Sequence, residues 1–293
     1  MNEDSPNHEK TRPVDVVSDI IHEVGDEIAA VVAVPGELTY HSLNRFFGFI
    51  GSSGVLFMQA VGYLLRGSVS RRGLIAQMAA IGVDSLPVVL VTVAFSGMVL
   101  ALYTAKTLVP WGVGNVVGGG VTLSVVRELG PVLTAVVVAA RSGSAIAAEL
   151  GSMKVTEQID ALRALAISPV EHLVSPRLLA AVVTLPVLTV FADVVGVAAG
   201  YAVAVVNGVA GGGFINSAKL FAVPYDVNMG LVKTIVFGAV IAIVGCQQGL
   251  QTTGGATGVG RSTTNAVVIS VVSIYVINFL LTYVMFGGRT AGI

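Results

Sequence analysis

Residues 149–177 read ELGSMKVTEQIDALRALAISPVEHLVSPR and form a polar stretch between two long apolar segments. Thr156 is predicted to cap a helix of roughly three turns, and Ser168-Pro169 is predicted to end it. Apolar and charged side chains recur on separate faces of that helix, which is typical of an amphipathic helix. Ser175-Pro176 then signals the start of the next helix. The stretch is therefore predicted to be a helical connection on the water side of a membrane, with an ordinary polar loop as the alternative.

The composition of the chain is that of a membrane protein. Of the 293 residues, 54% are hydrophobic and 11% are charged, whereas about 25% of residues are charged in soluble proteins. The net charge of −1 gives no reason to expect nucleic acid as a partner, and the single Cys246 cannot form an internal disulfide. The first residues lack the basic start and apolar core of a secretory signal peptide.

The apolar pattern predicts an all-α, polytopic membrane protein. Residues 1–39 are predicted to form an acidic cytoplasmic segment, whose amphipathic helix from Val14 to Val34 packs against protein. Residues 40–66 are interrupted by polar side chains and are predicted to form an elbow helix in the headgroup layer, with a tilted span as the alternative. Lysine and arginine counts place the N-terminus and the polar connection in the cytoplasm and the C-terminus outside. The five predicted spans are residues 85–108, 121–148, 178–206, 231–250 and 266–286.

No pattern of residues predicts catalysis or metal binding. The four histidines are scattered, no Cys/His cluster has metal-ligand spacing, and no serine lies in a nucleophile-elbow pattern. Residues 255–262, GATGVGRS, imitate a phosphate loop with Arg261 in place of the lysine. A phosphate loop lies between a buried strand and a helix, whereas this stretch lies between two predicted spans. It is interpreted as a flexible cytoplasmic loop, and the chain is predicted not to be an enzyme.

Four ionisable residues lie within the predicted spans, namely Arg127, Glu128, Arg141 and Asp193. A charged side chain at that depth costs several kcal/mol unless it is paired or faces water. One interpretation is internal ion pairing, for example between Arg141 and either Asp193 or Glu149. The alternative is that some of these residues line a polar route or transmit motion from the cytoplasmic connection.

Three motifs resemble the MlaE (YrbE) family of ABC-transporter permeases. They are RELGPVL at 127–133, AELGSMKVTEQIDAL at 148–162 and SPR at 175–177. The resemblance implies a permease domain over residues 40–293, in which a coupling helix at about 156–167 docks into a separate ATPase that binds ATP and magnesium. It also implies a second permease copy, MCE-domain lipid-binding proteins and a small STAS-type cytoplasmic subunit as partners, with a heterodimer as the alternative to a homodimer.

The function implied by the resemblance is movement of phospholipid or another hydrophobic lipid between membranes. The implied location of the chain is a bacterial inner membrane, with the C-terminus in the periplasm. The two rival hypotheses are an ion- or proton-coupled secondary transporter that uses Asp193 and Arg141, and a non-transporting membrane scaffold. The residues assigned to ATPase coupling are Glu149, Met153, Lys154, Thr156, Glu157, Gln158, Asp160, Arg163 and Arg261. The residues assigned to a lipid pocket are Val93, Phe95, Met98, Leu102 and Tyr275.

Overall fold

A computed structural model describes residues 47–67 and 70–286, with every side chain among them except that of Phe286. The predicted acidic segment 1–39, with its helix from Val14 to Val34, lies outside the described residues. The chain divides into two units, Met1–Ser52 and Ser53–Ile293. The sites described below all belong to the second unit.

The described residues form helices and contain no strand, which confirms the predicted all-α class. The helices differ widely in length, from seven residues in the connection that follows Val155 to 32 in the longest helices. They are α1 (Phe47–Leu65), α2 (Arg71–Met78), α3 (Leu86–Leu108), α4 (Val117–Ser124), α5 (Gly130–Val138), α6 (Ser144–Val155), α7 (Gln158–Ala164), α8 (Ser175–Val206), α9 (Gly211–Phe221), α10 (Pro224–Leu250) and α11 (Gly255–Phe286).

Short π-helical segments join several of these helices into longer rods. Ala79–Val83 joins α2 to α3, and Val170–Val174 leads into α8. Val125–Leu129 and Ala139–Gly143 join α4, α5 and α6. A π-turn inserts an extra residue into a helix and is frequent at functional sites. Three of the four predicted intramembrane ions lie in the two segments between α4 and α6.

Six described helical rods are long and apolar enough to cross a membrane, and five of them contain the five predicted spans. The sixth rod is α1, which lies within the predicted elbow at residues 40–66. Its length and composition suit both an elbow helix in the headgroup layer and a tilted span. The six rods are Phe47–Leu65, Arg71–Leu108, Gly114–Val155, Val170–Val206, Pro224–Leu250 and Gly255–Met285.

The prediction that residues 255–262 form a flexible loop is wrong, because they form the first turns of α11. The turn between α10 and α11 ends where they begin, and Gly254 and the first residue of α11, Gly255, both have positive φ. A buried hydrogen bond of 2.7 Å between the hydroxyls of Thr252 and Ser262 holds the start of α11 against the end of α10. The resemblance to a phosphate loop therefore has no structural counterpart, and Arg261 lies exposed on a helix.

Close backbone contacts pack the rods around α8. Gly97 of α3 lies so close to Gly196 of α8 that a Cβ atom on Gly97 would collide with the Gly196 carbonyl. Gly238 of α10 lies in the same way against the backbone of Ala181. Small residues allow such approach where lipid supplies little drive for helix association. This packing fixes α8 against both α3 and α10.

Candidate functional site

The connection between α6 and α8 contains the predicted short helix, but its start differs from the prediction. α7 spans only Gln158–Ala164, and the residue that precedes it is Glu157, which has a left-handed φ of 59°. Thr156 is not the cap, because its hydroxyl donates a hydrogen bond of 2.8 Å to the carbonyl of Ser152 in the last turn of α6. A threonine hydroxyl bonds readily to the carbonyl four residues earlier, and α6 supplies that carbonyl.

The end of α7 also comes earlier than Ser168-Pro169. The Ala166 amide donates to the Arg163 carbonyl and the Ile167 amide donates to the Leu162 carbonyl, both at 3.0 Å. Ala166 has a left-handed φ of 57°. This pair of bonds is a Schellman motif, with alanine where glycine is usual. It satisfies the last carbonyls of α7 and makes the helix two turns long.

α7 is anchored by one apolar residue and presents its charged residues to solvent. Ile159 is completely buried, whereas Asp160 and Arg163 are exposed. Asp160 accepts hydrogen bonds from Lys154 at 2.8 Å and from Arg163 at 3.0 Å. The Lys154 ammonium, aided by Arg163, holds the pKa of Asp160 below its ordinary value of 3.8. Asp160 therefore remains ionised at neutral pH and ties α7 to the end of α6.

An ion pair at the base of α7 joins the two rods that α7 connects. The Arg177 guanidinium lies 2.8 Å from the Glu149 carboxylate and donates a 2.6 Å hydrogen bond to the Leu173 carbonyl. Arg177 is almost completely buried and Glu149 is half-exposed. Ser175 is not a cap, since its hydroxyl donates to the carbonyls of Val170 and Ala60. The ion pair thereby holds α6 against the start of α8.

A second polar site lies among the spans and begins at Arg127. Two nitrogens of its guanidinium contact one carboxylate oxygen of Asp226, at 2.7 and 2.8 Å. Asp226 is completely buried in the first turn of α10. The predicted internal pairing of Arg127 is therefore present, with a partner that sequence reasoning had not considered.

Glu128 is the centre of a set of hydrogen bonds between three rods. The completely buried Lys233 ammonium donates to Glu128 Oε1 and to Thr282 Oγ1, each at 2.7 Å, and to the Arg127 carbonyl at 3.1 Å. Asn278 donates to Glu128 Oε2 at 2.8 Å, and Thr282 donates to Glu128 Oε1 at 3.0 Å. We call Arg127, Glu128, Asp226, Lys233, Asn278 and Thr282 the polar network.

Four members of the polar network were missed from the sequence, namely Asp226, Lys233, Asn278 and Thr282. One available signal was Lys233, an ammonium within a predicted apolar span. Spans two apart in the chain cross the membrane in the same direction, so the starts of 121–148 and 231–250 lie at similar depth, and the lysine could have been matched with Glu128. The amide of Asn278 and the hydroxyl of Thr282 carried no such signal, because uncharged polar residues are common in these segments.

Arg141 and Asp193 are not paired with each other. The Arg141 guanidinium lies 3.5 Å from the Asp84 carboxylate and donates to the Ala80 carbonyl at 3.2 Å. Glu149, the other suggested partner of Arg141, pairs with Arg177. Asp193 is 8% exposed, and its Oδ1 atom has no hydrogen-bond partner. Both suggested ion pairs of Arg141 are therefore wrong, because the π-turn at Ala139–Gly143 lies against the start of α3 instead.

The five residues predicted to line a lipid pocket lie in different surroundings in the single chain. Val93 is completely buried against Gly196 of α8 and belongs to the packing core. Phe95 is 62% exposed and lines a cavity of about 450 Å³ beside α3. Tyr275 is exposed on α11, and Met98 and Leu102 are partly buried on α3. Of the predicted set, Phe95 is the residue that the structure places at a cavity.

No group of His, Cys, Asp and Glu that could hold a metal ion occurs among the described residues. An all-α fold with six candidate spans, a polar network inside them and a braced helix between two of them is that of a polytopic membrane transport protein. The family model for Permease MlaE matches residues 74–284. The chain belongs to the MlaE permease family, which confirms the resemblance drawn from the motifs.

Relatives named as ABC transporter permeases extend this match over most of the chain. A probable ABC transporter permease protein of Synechocystis is 43% identical over 85% of this chain and 95% of its own length. One from Rickettsia felis is 41% identical over 83% of this chain and 94% of its own. TRIGALACTOSYLDIACYLGLYCEROL 1, a chloroplastic protein of Arabidopsis thaliana, is 40% identical over 78% of this chain and 66% of its own. Permeases are transport components and not enzymes, as predicted.

Proposed function

We propose that this chain is the permease subunit of an ATP-driven transporter that moves phospholipid or another hydrophobic lipid between membranes. Relatives named ABC transporter permeases imply an ATPase partner. The name of the Arabidopsis relative contains a diacylglycerol lipid, which supports lipid as the cargo. In this proposal residues 40–293 form the permease domain and residues 1–39 form a cytoplasmic segment.

The observation that carries the proposal is the construction of the α6–α7–α8 connection. Ile159 anchors α7, the Glu149–Arg177 ion pair braces its base, and the exposed face presents charged side chains. A short rigid helix of this kind suits docking into another protein, because an interface that moves a membrane span must not bend under load. The coupling residues of α7 would contact the ATPase, and Arg261 would contribute from the first turns of α11.

The remaining partners follow from the same proposal. The faces of α3 and α11 that include Phe95, Tyr103, Tyr275 and Phe279 are exposed and apolar. These faces would meet a second copy of the chain or a related permease and enclose the lipid. MCE-domain proteins would exchange lipid with the permease on the periplasmic side of the inner membrane. A STAS-type subunit would bind in the cytoplasm, on the side of the N-terminus and α7.

The secondary-transporter hypothesis receives less support from the geometry. It relied on Asp193 and Arg141 as ion or proton carriers, yet Arg141 is paired with Asp84. Asp193 lies in the mostly apolar lining of a cavity, and its buried Oδ1 atom has no hydrogen-bond partner among the described residues. The scaffold hypothesis differs from the permease proposal in one respect, since a scaffold needs no contact between α7 and an ATPase.

The test compares wild type with Glu157→Lys and with Glu171→Lys, a control on the same connection outside α7. Each full-length variant is purified from its native membrane, and bound ATPase, ATP hydrolysis and bound lipid are measured. Wild type and the control are expected to retain an ATPase and phospholipid, whereas Glu157→Lys loses the ATPase. Transfer of labelled phospholipid between vesicles should fall with it. An ATPase that stays bound to Glu157→Lys, or is absent from wild type, would refute the proposal.

A further inference from the structure

Three exposed arginines lie where α1 ends and α2 begins, namely Arg66, Arg71 and Arg72. We call them the basic corner. None of the three forms an ion pair within the part of the chain that the structure describes. Residues 47–78, which include the basic corner, contain no aspartate or glutamate. The three positive charges are therefore not balanced by any ion pair among the described residues.

The arginines of the basic corner share one patch of surface. Arg71 is five residues after Arg66 in the chain, so the Cα atoms of these two residues lie at most about 18 Å apart. The Arg66 guanidinium lies 6.0 Å from the centre of the Tyr63 ring, which is a cation–π contact. Both side chains line a cavity of about 350 Å³ on α1, together with Gln59. The patch thus combines cationic groups with a concave surface.

Large apolar side chains are exposed beside these arginines. Met58 and Leu65 of α1 are 74% and 84% exposed, and Ile75 of α2 is 66% exposed. Exposed apolar side chains next to cationic ones suit the boundary between lipid headgroups and acyl chains. Water alone would leave these apolar side chains hydrated, whereas acyl chains cover them. The surroundings of the basic corner therefore favour a lipid over a soluble anion.

The basic corner lies at the end of the rods where α7 also lies. The Ser175 hydroxyl, at the start of α8, donates a hydrogen bond of 3.3 Å to the Ala60 carbonyl of α1. Gly82 lies against Thr184, nearer the start of α8 than the contact made by Gly97. The rod of α2 and α3 therefore runs parallel to α8 and begins beside the same end. This position places the basic corner at a membrane surface and away from the middle of the spans.

We propose that the basic corner binds the headgroup of an anionic phospholipid, with phosphatidylglycerol as the example tested here. Guanidinium groups match phosphate oxygens with paired hydrogen bonds. The acyl chains cover the exposed apolar side chains of α1 and α2. A zwitterionic headgroup carries the same phosphate, but its cationic group is repelled by the unbalanced arginines. The site does not rest on the proposed transport function, because it concerns lipid that surrounds the chain and not lipid that the chain moves.

The test is photolabelling of the full-length chain, reconstituted in vesicles of phosphatidylcholine. The two probes are phosphatidylglycerol and phosphatidylcholine with the same diazirine-bearing acyl chain, and labelled peptides are identified by mass spectrometry. Phosphatidylglycerol is expected to label residues 58–66 and 71–75 at least about tenfold more than phosphatidylcholine does. The excess should shrink as salt is raised, because ions screen exposed charges.

Charge-removing variants assign this preference to the basic corner. Arg66→Gln, Arg71→Gln and Arg72→Gln are each expected to lower the preference for phosphatidylglycerol about fivefold, and the triple variant should abolish it. Lysine at the same three positions keeps the charge and should retain most of the preference. Arg163→Gln is the matched control, since Arg163 is an exposed arginine of α7 that is already paired with Asp160. This control should label like wild type.

Four outcomes would overturn the proposal. Equal labelling of these residues by the two probes would show that the arginines do not select an anionic lipid. A preference that survives in the triple glutamine variant would place its source elsewhere in the chain. An equal loss in Arg163→Gln would indicate an effect of net charge alone. Displacement of the phosphatidylglycerol probe by soluble glycerol phosphate would identify a site for a soluble anion.

Discussion

Replacing Glu128 with glutamine is expected to destabilise the chain more than neutralising Glu128 and Lys233 together. Lys233 is completely buried and its ammonium lies 2.7 Å from the Glu128 carboxylate, so Glu128→Gln removes the negative charge that this ammonium is paired with. Removing one member of a buried ion pair costs about 3–5 kcal/mol, whereas replacing both is often nearly neutral. The 38% exposure of the Glu128 side chain reduces this value through solvent screening. We therefore expect Glu128→Gln to lower the free energy of unfolding by about 2–3 kcal/mol.

The double variant Glu128→Gln with Lys233→Met is expected to have a free energy of unfolding within about 1 kcal/mol of the wild-type value. Lys233→Met alone should cost about 1–2 kcal/mol, because Asn278 and Thr282 still donate to the remaining carboxylate. The effects of the two single changes on the free energy of unfolding are therefore expected to be strongly non-additive, as is usual for residues in one network. This non-additivity distinguishes a buried ion pair from two charges that are solvated independently.

The assay is reversible unfolding of the purified chain by sodium dodecyl sulfate, with thermal unfolding as a second measurement. Each kcal/mol of unfolding free energy corresponds to about 2–4 °C in soluble domains of 150–250 residues, so Glu128→Gln should unfold about 4–12 °C below wild type. Glu171→Gln, which removes an acid outside the polar network, serves as the control. The reasoning is refuted if the losses of the two single variants simply add in the double variant, or if Glu128→Gln unfolds with wild type.

Three further predictions concern the connection and the packing. Ala166→Gly is expected to raise stability by about 1 kcal/mol, because glycine adopts the left-handed φ without Cβ strain; an unchanged or lower unfolding temperature would contradict it. Gly97→Ala is expected to lower stability by about 2 kcal/mol or more, since its Cβ would meet the α8 backbone. Gly120→Ala, which enters open space, is the control in the same unfolding assay. Lys154 holds the pKa of Asp160 below 3.8, so their attraction is complete above pH 3.8 and is lost only as the pH falls through the lower folded-state value. Spin labels on α6 and α7 should therefore report one constant separation between about pH 5 and 8, and a transition inside that window would count against the ion pair.

Sequence reasoning identified most of the fold because its signals are local. Apolar length and helical periodicity indicate a span wherever they occur, and five of the six candidate rods contain predicted spans. The ends of elements were less well predicted. Thr156 was expected to cap α7 but instead bonds back to α6, and residues 255–262 were expected to be a loop but continue as helix. In each case a contact with a neighbouring turn or helix overrode the local preference.

Composition and motifs alone determined that this chain is an all-α membrane permease of the MlaE family, with a polar helix between two spans. Ionisable residues inside the spans could also be recognised, since their cost in lipid makes them conspicuous. Only the tertiary structure decided their partners: Asp226 for Arg127, Lys233 for Glu128 and Asp84 for Arg141. The physical reason is that an ion pair depends on the depth and rotation of separate helices. The depth and rotation of each helix are set by close packing at glycines. Such packing brings together residues that are far apart in the sequence.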